Sequence, residues 1–463
     1  MDRSRKSLRD PASAHDLGFR LQMPLLAPHF PFSPDRLPFF YGWVIVGVAT
    51  LGIVMSVPGQ TMGVSVFTDH LIQVTGLSRL ELANTYLVGT LASSLFLPRG
   101  GIFLDRHGAR TTGIIACLAV ATTLCVLTQL EVISRWLTAL LGGESFVLIA
   151  AALLTLGFMM LRFSGQGILT MASRTMMAKW FERRRGLASG ISGVFVSGGF
   201  AIAPLFLQTL IDIGGWQGAW LMLAGLVGVG MSLVILVFFR ENPEECDLRM
   251  DGDAPGEQPS RSIERDQDLD EKSFTREEAL RTARFWYVTL TLSLQAMVFT
   301  GVTFHIVDLG IDSGIGGREA VRLFIPLAIV STMTGMLSGW AADRVPVRAL
   351  VLASIALQTI AYIGAGRLGE WPFLVMMLVG WGGAGGLFAT LLNVAMPNFF
   401  GRTHLGSITS IQMSAMVAAS AVGPALLAAS KTYLGSYEAG LLWCCALSSA
   451  VFLFALFAPA TTQ

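Results

Sequence analysis

Gly101-Ile-Phe-Leu-Asp105-Arg106-His-Gly-Ala-Arg110 and Gly339-Trp-Ala-Ala-Asp343-Arg344-Val-Pro-Val-Arg348 are two readings of one pattern, G-x-x-x-D-R-x-x-x-R. Each closes an apolar run long enough to cross a bilayer, and the two stand 238 residues apart in a chain of 463. Equivalent helix ends in two halves of a chain imply a duplicated helical bundle.

Working outward, composition supports a membrane chain. Hydrophobic residues make up 53% and charged residues 14%, where an ordinary soluble domain carries roughly 25% charge. A membrane helix needs about 20 mostly apolar residues. Twelve such runs are expected, at 42–67, 82–104, 111–130, 146–172, 187–211, 218–239, 286–309, 320–341, 348–366, 371–396, 407–430 and 438–459. The expected fold is an all-α membrane protein of two pseudo-symmetric six-helix bundles. Its expected parts are a cytoplasmic tail 1–39, a first bundle 40–239, a linker 240–285 and a second bundle 286–463.

Residues 1–20 are polar and basic with no apolar stretch behind them, so no signal peptide is expected. The linker carries 14 acidic and 8 basic residues and is expected to be solvated as far as about Lys272. Thr275 and Glu278 form a capping-box pattern, so a short amphipathic helix is expected to lie on the membrane surface before span seven. Trp286 and Tyr287 are expected at headgroup depth, and Trp136–Leu141 in a second interfacial helix.

Charge sets the expected orientation. With both termini cytoplasmic, the inside segments hold 24 of the 32 Lys and Arg and the outer loops hold 6. That bias follows the positive-inside rule. The net charge of +1 gives no polyelectrolyte signal for nucleic acid. The five cysteines lack metal-type spacing, so neither a metal site nor a cofactor is expected. No G-x-x-x-x-G-K-[ST] phosphate loop occurs, so energy is expected from a gradient.

The paired motif resembles the loop motif of the major facilitator superfamily. Further stretches are similar to that family: Arg162-Phe-Ser-Gly165-Gln166-Gly167 in span four, Lys179-Trp180-Phe181-Glu182-Arg183-Arg184-Arg185-Gly186 before span five, and Asn398-Phe399-Phe400-Gly401-Arg402 before span eleven. Phe40-Tyr41-Gly42-Trp43 and the stretch Phe400–Ser407 resemble bacterial members near the monocarboxylate and oxalate/formate porters. The resemblance implies a solute carrier working by alternating access, not an enzyme. It implies a gating role for Gly101, Asp105, Arg106, Arg110, Gly339, Asp343, Arg344 and Arg348. The porters often place an arginine in span eight and a lysine in span eleven. Here Arg322 stands only near the start of span eight, and 407–430 contains no lysine.

Candidate site residues follow from charge at depth. An arginine inside a span costs roughly 2.5–3.5 kcal/mol on insertion scales. Arg162 is therefore expected to bind an anionic substrate or to influence a coupling proton, or else to tie helix carbonyls or Gln166. His305 and Asp308 share one face of span seven; they could carry a coupling proton or form an outer-rim pair. Arg322 is the third basic candidate. Asp105 and Asp343 are expected to pair with the arginines beside them, as gates or as headgroup anchors. The expected function is secondary transport of a small organic anion across the inner (plasma) membrane, with protons or a counter-transported anion as partner. Efflux of amphipathic compounds and a non-transporting membrane sensor are the alternatives.

Overall fold

The computed structural model describes residues 30–141, 146–252 and 273–459. Among them, ten helices are long and apolar enough to cross a membrane. Two of the ten double back. The run Arg79–Thr128 turns at Gly108 (φ 79°), and the run Arg185–Ala224 turns at Gly215 (φ 66°). Both turns need the left-handed region that glycine enters without a Cβ clash. Twelve crossings result, matching the apolar runs.

Span one is interrupted. Its helix Gly42–Val54 gives way to a 3-10 turn at Val57–Gly59 and a short helix Thr61–Ser65. Pro58 has no N–H for a helical ladder. Spans two and three occupy 79–107 and 109–128. Span four runs from 146 to 180 as helix Phe146–Leu161, a π-helical stretch Arg162–Leu169 and helix Thr170–Trp180. Spans five and six occupy 185–214 and 216–238, the latter through a second π-helical stretch, Gly225–Met231. The second half comprises Ala283–Asp312, Phe324–Ala342, Val347–Ala365, Trp371–Phe400, Leu405–Leu434 and Tyr437–Phe457.

Each half has its own apolar core. Ile45, Phe158, Trp180 and Ile235 belong to the first, and Phe285, Leu391 and Phe400 belong to the second. The cores reach into each other: Met413 and Val417 pack in the first-half cluster and Ala178 in the second-half cluster. The halves meet chiefly along spans two and eleven and along spans five and eight, with spans four and eleven adding a smaller contact.

The segment joining the halves departs from expectation. Arg240–Gly252 is not a solvated tether but folds under the first half. Arg240 and Asp251 are buried, and Cys246 is buried with its thiol pushed up to about 11 by burial. Arg240 Nη2 donates to the carbonyl of Phe30 at 2.7 Å, and Trp180 Nε1 donates to the Arg240 carbonyl at 3.0 Å. Tyr41 donates to the Phe238 carbonyl at 2.8 Å; burial pushes its hydroxyl up to about 12, so it stays a donor. Residues 253–272 lie outside the described residues, as do 1–29 of the expected tail.

The capping box at Thr275 forms, and its helix Arg276–Leu280 packs on the second half. Ala279 is buried, and Phe274 packs on Phe400 while its N–H donates to the Phe400 carbonyl at 3.1 Å. Tyr287 is likewise buried against Phe399 and Phe454, while Trp286 is exposed. Helix Leu130–Leu141 contains the expected Trp136 stretch, and Trp136 is exposed. The end of the bundle bearing Arg240–Gly252 is termed the linker side below.

Candidate functional site

The two motifs act across the gap between the halves. Asp105 Oδ1 accepts from the N–H of Gly406 and Oδ2 from the N–H of Ser407, both at 2.7 Å. Asp343 Oδ1 accepts from the N–H of Gly186 at 2.6 Å and Oδ2 from that of Leu187 at 3.0 Å. Each carboxylate thus sits on the free N–H groups opening span eleven or span five, in the opposite half. The positive end of the helix dipole favours a carboxylate there by roughly 0.3–1 kcal/mol, up to about 2 when partly buried. This corrects the expected pairing with neighbouring arginines. Arg106 and Arg344 point outward and are exposed. Arg344 lies over the Trp340 ring at 4.3 Å and donates to the Trp340 carbonyl at 2.9 Å.

The last arginine of each motif ties down the last helix of its own half. Arg110 donates to the carbonyls of Leu236 and Phe30, the latter at 3.0 Å. Arg348 donates to Ala455, Leu456 and Ala458 at 2.9, 2.7 and 2.8 Å. Cations at helix C-termini complement the carbonyl end of the dipole. The glycines are contact points. A Cβ on Gly101 would stand 2.2 Å from the Gly406 carbonyl oxygen, and one on Gly339 would stand 2.7 Å from that of Gly186. All eight motif residues therefore have a location, and four of them hold the halves together.

Burial raises the Asp343 carboxyl above the ordinary carboxylate range. The Gly186 and Leu187 amides oppose this, as does Arg344, while Asp251 adds to it. Further bonds close the linker side. Arg185 donates to Asn398, Arg174 donates to Asn393 Oδ1 at 2.9 Å, and Asn393 Nδ2 donates to Ser189 Oγ at 2.8 Å. Ser414 donates to the Ser94 carbonyl at 2.6 Å. The structure is closed on that side.

Arg162 lies within the first half. It is 4% exposed, and its Nη1 reaches the Gly59 carbonyl and Thr61 Oγ1, both at 3.4 Å. The guanidinium stands over the Tyr86 ring at 5.5 Å. These are weak contacts, because 3.4 Å is beyond the usual N–H···O range. Its Nε and the Oε1 of Gln166 are buried without a hydrogen-bond partner among the described residues. Both belong to the π-helical stretch, a backbone irregularity frequent at functional sites.

The other basic candidates lie in different surroundings. His305 Nε2 is 3.0 Å from the Pro424 carbonyl, and Nδ1 is 3.4 Å from Tyr437 Oη and 3.9 Å from Asp308 Oδ2. It links spans seven, eleven and twelve, while Asp308 is largely exposed. Arg322 is exposed on the short helix Gly317–Arg322 before span eight. Span eleven is longer than expected and includes Lys431, which pairs with Asp312 at 2.5 Å at the end away from the linker.

Sequence reasoning missed Arg174. The apolar run ends near 172 and leaves it with the charges that follow, but span four continues to Trp180 and carries it into the contact between the halves.

The Major Facilitator Superfamily profile matches residues 49–424. The chain belongs to that superfamily. Its long apolar helices are those of a multi-pass membrane protein, and the chain spans about 58% of the length of the first curated relatives it matches. Among curated proteins it is similar to Monocarboxylate transporter 12 of Rattus norvegicus, 25% identical over 288 residues, which is 58% of this chain and 58% of that protein. It is also similar to human Monocarboxylate transporter 11, 24% identical over 374 residues, covering 73% of this chain and 72% of that protein. Among solved structures, the human organic anion transporter MFSD10 (TETRAN) superposes with a TM-score of 0.59 at 16% identity, covering 89% of this chain and 98% of that one. A bacterial homologue of the iron transporter ferroportin in its outward-facing state gives 0.63 at 12% identity, covering 89% and 98%.

Proposed function

We propose that the chain is a secondary transporter of a small organic anion, working by alternating access with proton coupling or anion exchange. The observation that carries this is Arg162: a cation buried in the middle of span four, held by weak contacts, with a free donor and no carboxylate among them. Burying such a charge is costly and marks a functional site by default. An anionic cargo supplies the partner that the protein does not. The names of the curated relatives, monocarboxylate transporters, favour the same cargo class. His305 with Asp308 and Tyr437 is the candidate for a coupling proton, since it joins three spans of the second half. Gln166, whose unpartnered atom is the acceptor Oε1, is the candidate partner for a cargo hydroxyl or acid proton, and Arg322 is an outer attraction point for anions.

We place the chain in the inner (plasma) membrane with both termini cytoplasmic, on the 24-to-6 distribution of Lys and Arg. The linker side is then the cytoplasmic side. On the same reading the divisions are tail 1–39, bundles 40–239 and 286–463, and linker 240–285.

Flux of labelled acetate, lactate, pyruvate and oxalate into proteoliposomes, with and without an imposed pH gradient, tests the reading. Transport should fall in the order wild type, Arg162→Lys, Arg162→Gln. Lysine keeps the charge and loses the forked donor geometry; glutamine loses the charge. Loss of Arg162 leaves expression intact, because an insertion cost is removed. Normal flux in well-expressed Arg162→Gln would take this residue out of the site.

A further inference from the structure

We infer that Arg174, with Gln412 and Asn393, forms a second anion station on the linker side of the transport path, whose occupation by cargo excludes closure of the gate. This rests on the organic-anion reading.

A small cavity lies where spans four, ten and eleven meet, with room for about one water (about 20 Å³). Its polar lining is Arg174 and Thr175 from the first half and Asn393, Thr409 and Gln412 from the second. Gln412 is 2% exposed, and among the described residues its Nε2 has no hydrogen-bond partner; the Nε of Arg174 is likewise buried and unpartnered among them. The lining holds a guanidinium, an amide donor and no carboxylate. A water can accept from both orphan donors, yet it cannot neutralise the cation. A carboxylate can do both, because ionised acceptors make the stronger bonds to guanidinium.

The walls come from both halves. Rocking that separates spans four and eleven on the linker side enlarges this cavity and opens it. It also breaks the bond from Arg174 Nη1 to Asn393 Oδ1. In the closed structure Asn393 occupies Arg174 with its oxygen and Ser189 with its nitrogen, so one residue stitches both sides. Cargo oxygen and Asn393 oxygen therefore compete for one guanidinium. An anion seated on Arg174 holds the linker side open until it moves on, either out of the protein or inward to Arg162. The two arginines lie on one span, roughly 18 Å apart along the helix axis.

The test uses full-length protein in proteoliposomes with Thr409→Cys as reporter, in an Asp105→Asn background that loosens the gate. A membrane-impermeant maleimide is applied from the linker side, and labelling of position 409 is read by mass spectrometry. Whichever of acetate, lactate, pyruvate or oxalate is transported should slow labelling. In Arg174→Gln the concentration giving half-protection should rise about tenfold or more, with Arg174→Lys between. The KM for uptake from the opposite face should move much less. Flux with protection unchanged in Arg174→Gln overturns this inference and leaves the organic-anion reading standing. Absence of flux for all four anions overturns both. An equal rise in KM from both faces also overturns it, because that marks a residue that merely shapes the fold.

Discussion

Asp105 and Asp343 cap helices in opposite halves with nearly the same geometry, but their surroundings differ. Asp105 has the Lys179 cation nearby, and Lys179 is itself paired with Glu241 from the joining segment. Asp343 has Arg344 on one side and the anion Asp251 on the other. Asp251 accepts from the N–H groups of Glu182, Arg183 and Arg184 at 3.1, 2.8 and 3.1 Å. The matching loop before span eleven is held instead by a neutral contact, Thr403 to Ser273 at 2.9 Å, and by the ion pair of Arg402 with Glu244 at 3.2 Å. Duplication therefore supplied two equivalent latches, and the joining segment made them unequal. It lends carboxylates to the region around both, and one of those carboxylates stands beside Asp343. Span five's opening turns thus face two anions, and span eleven's face one.

The largest effect on this pair of latches is expected from the glycines. Gly101→Ala places a Cβ against backbone oxygen at 2.2 Å and against Ser410 Cβ at 2.4 Å; Gly339→Ala meets backbone at 2.7 and 2.9 Å. Backbone on both sides cannot rotate away, and overpacking costs about 1–3 kcal/mol. Both variants should shift the protein strongly toward the linker-side-open state, with Gly101→Ala the stronger. Labelling of Thr409→Cys from the linker side is the measure. Labelling as slow as in the unsubstituted glycine background would show that the close approach does not control closure.

The carboxylates come next. Asparagine offers one acceptor oxygen where aspartate offers two, and its amide hydrogens face the second N–H. Asp105→Asn also loses a charge favoured by Lys179, so it should open the gate by about 1–2 kcal/mol. In Asp343→Asn the same loss is partly offset by relief of the repulsion from Asp251. Its effect should be less than half as large. Equal effects of the two substitutions would show that the joining segment does not distinguish the latches.

These differences explain how far the sequence could be read. Apolar run length and the repeated G-x-x-x-D-R-x-x-x-R revealed the twelve spans and the pseudo-symmetry, because both are local patterns with fixed spacing. Partners of Asp105 and Asp343 were not legible. Each bonds backbone amides more than 150 positions away, and no side-chain type marks a backbone amide. Charge beside charge suggested Asp–Arg pairs instead, yet those arginines face outward. Arg162 stood out because its flanks are apolar. Arg174 did not, since Lys179 and Arg183–Arg185 follow it and the run was read as loop. Met176, Met177 and Ala178 were the available sign that the helix continued. The folded part of the joining segment is hidden for a similar reason. Its acidic excess signalled solvent, while Cys246, Leu248 and Met250 were the few apolar residues announcing that 240–252 is folded.

The smallest effect is expected from Asp251→Asn, and it tests the asymmetry most directly. Burial and the Asp251 anion hold the Asp343 carboxyl above its ordinary range in the latched state. With the gate open, Asp343 is solvated and returns toward the usual value of about 4. A group with the higher pKa in the latched state takes up a proton on latching, so acidification favours latching. The window runs from that ordinary value up through the raised one. Labelling of Thr409→Cys, normalised to the same cysteine in denatured protein, should therefore slow as pH falls through this window. Asp251→Asn removes the repelling charge, lowers the latched-state pKa of Asp343 and flattens the slope. It also leaves one acceptor oxygen for three amides of the 182–184 loop, a loss of roughly 0.5–1.5 kcal/mol at neutral pH. The two consequences separate in the data, since one changes the slope against pH and the other shifts the whole curve. A slope untouched by Asp251→Asn, with the curve displaced, would mean that Asp251 acts only as a brace for the loop. The inequality of the latches would then be a matter of helix capping and not of charge.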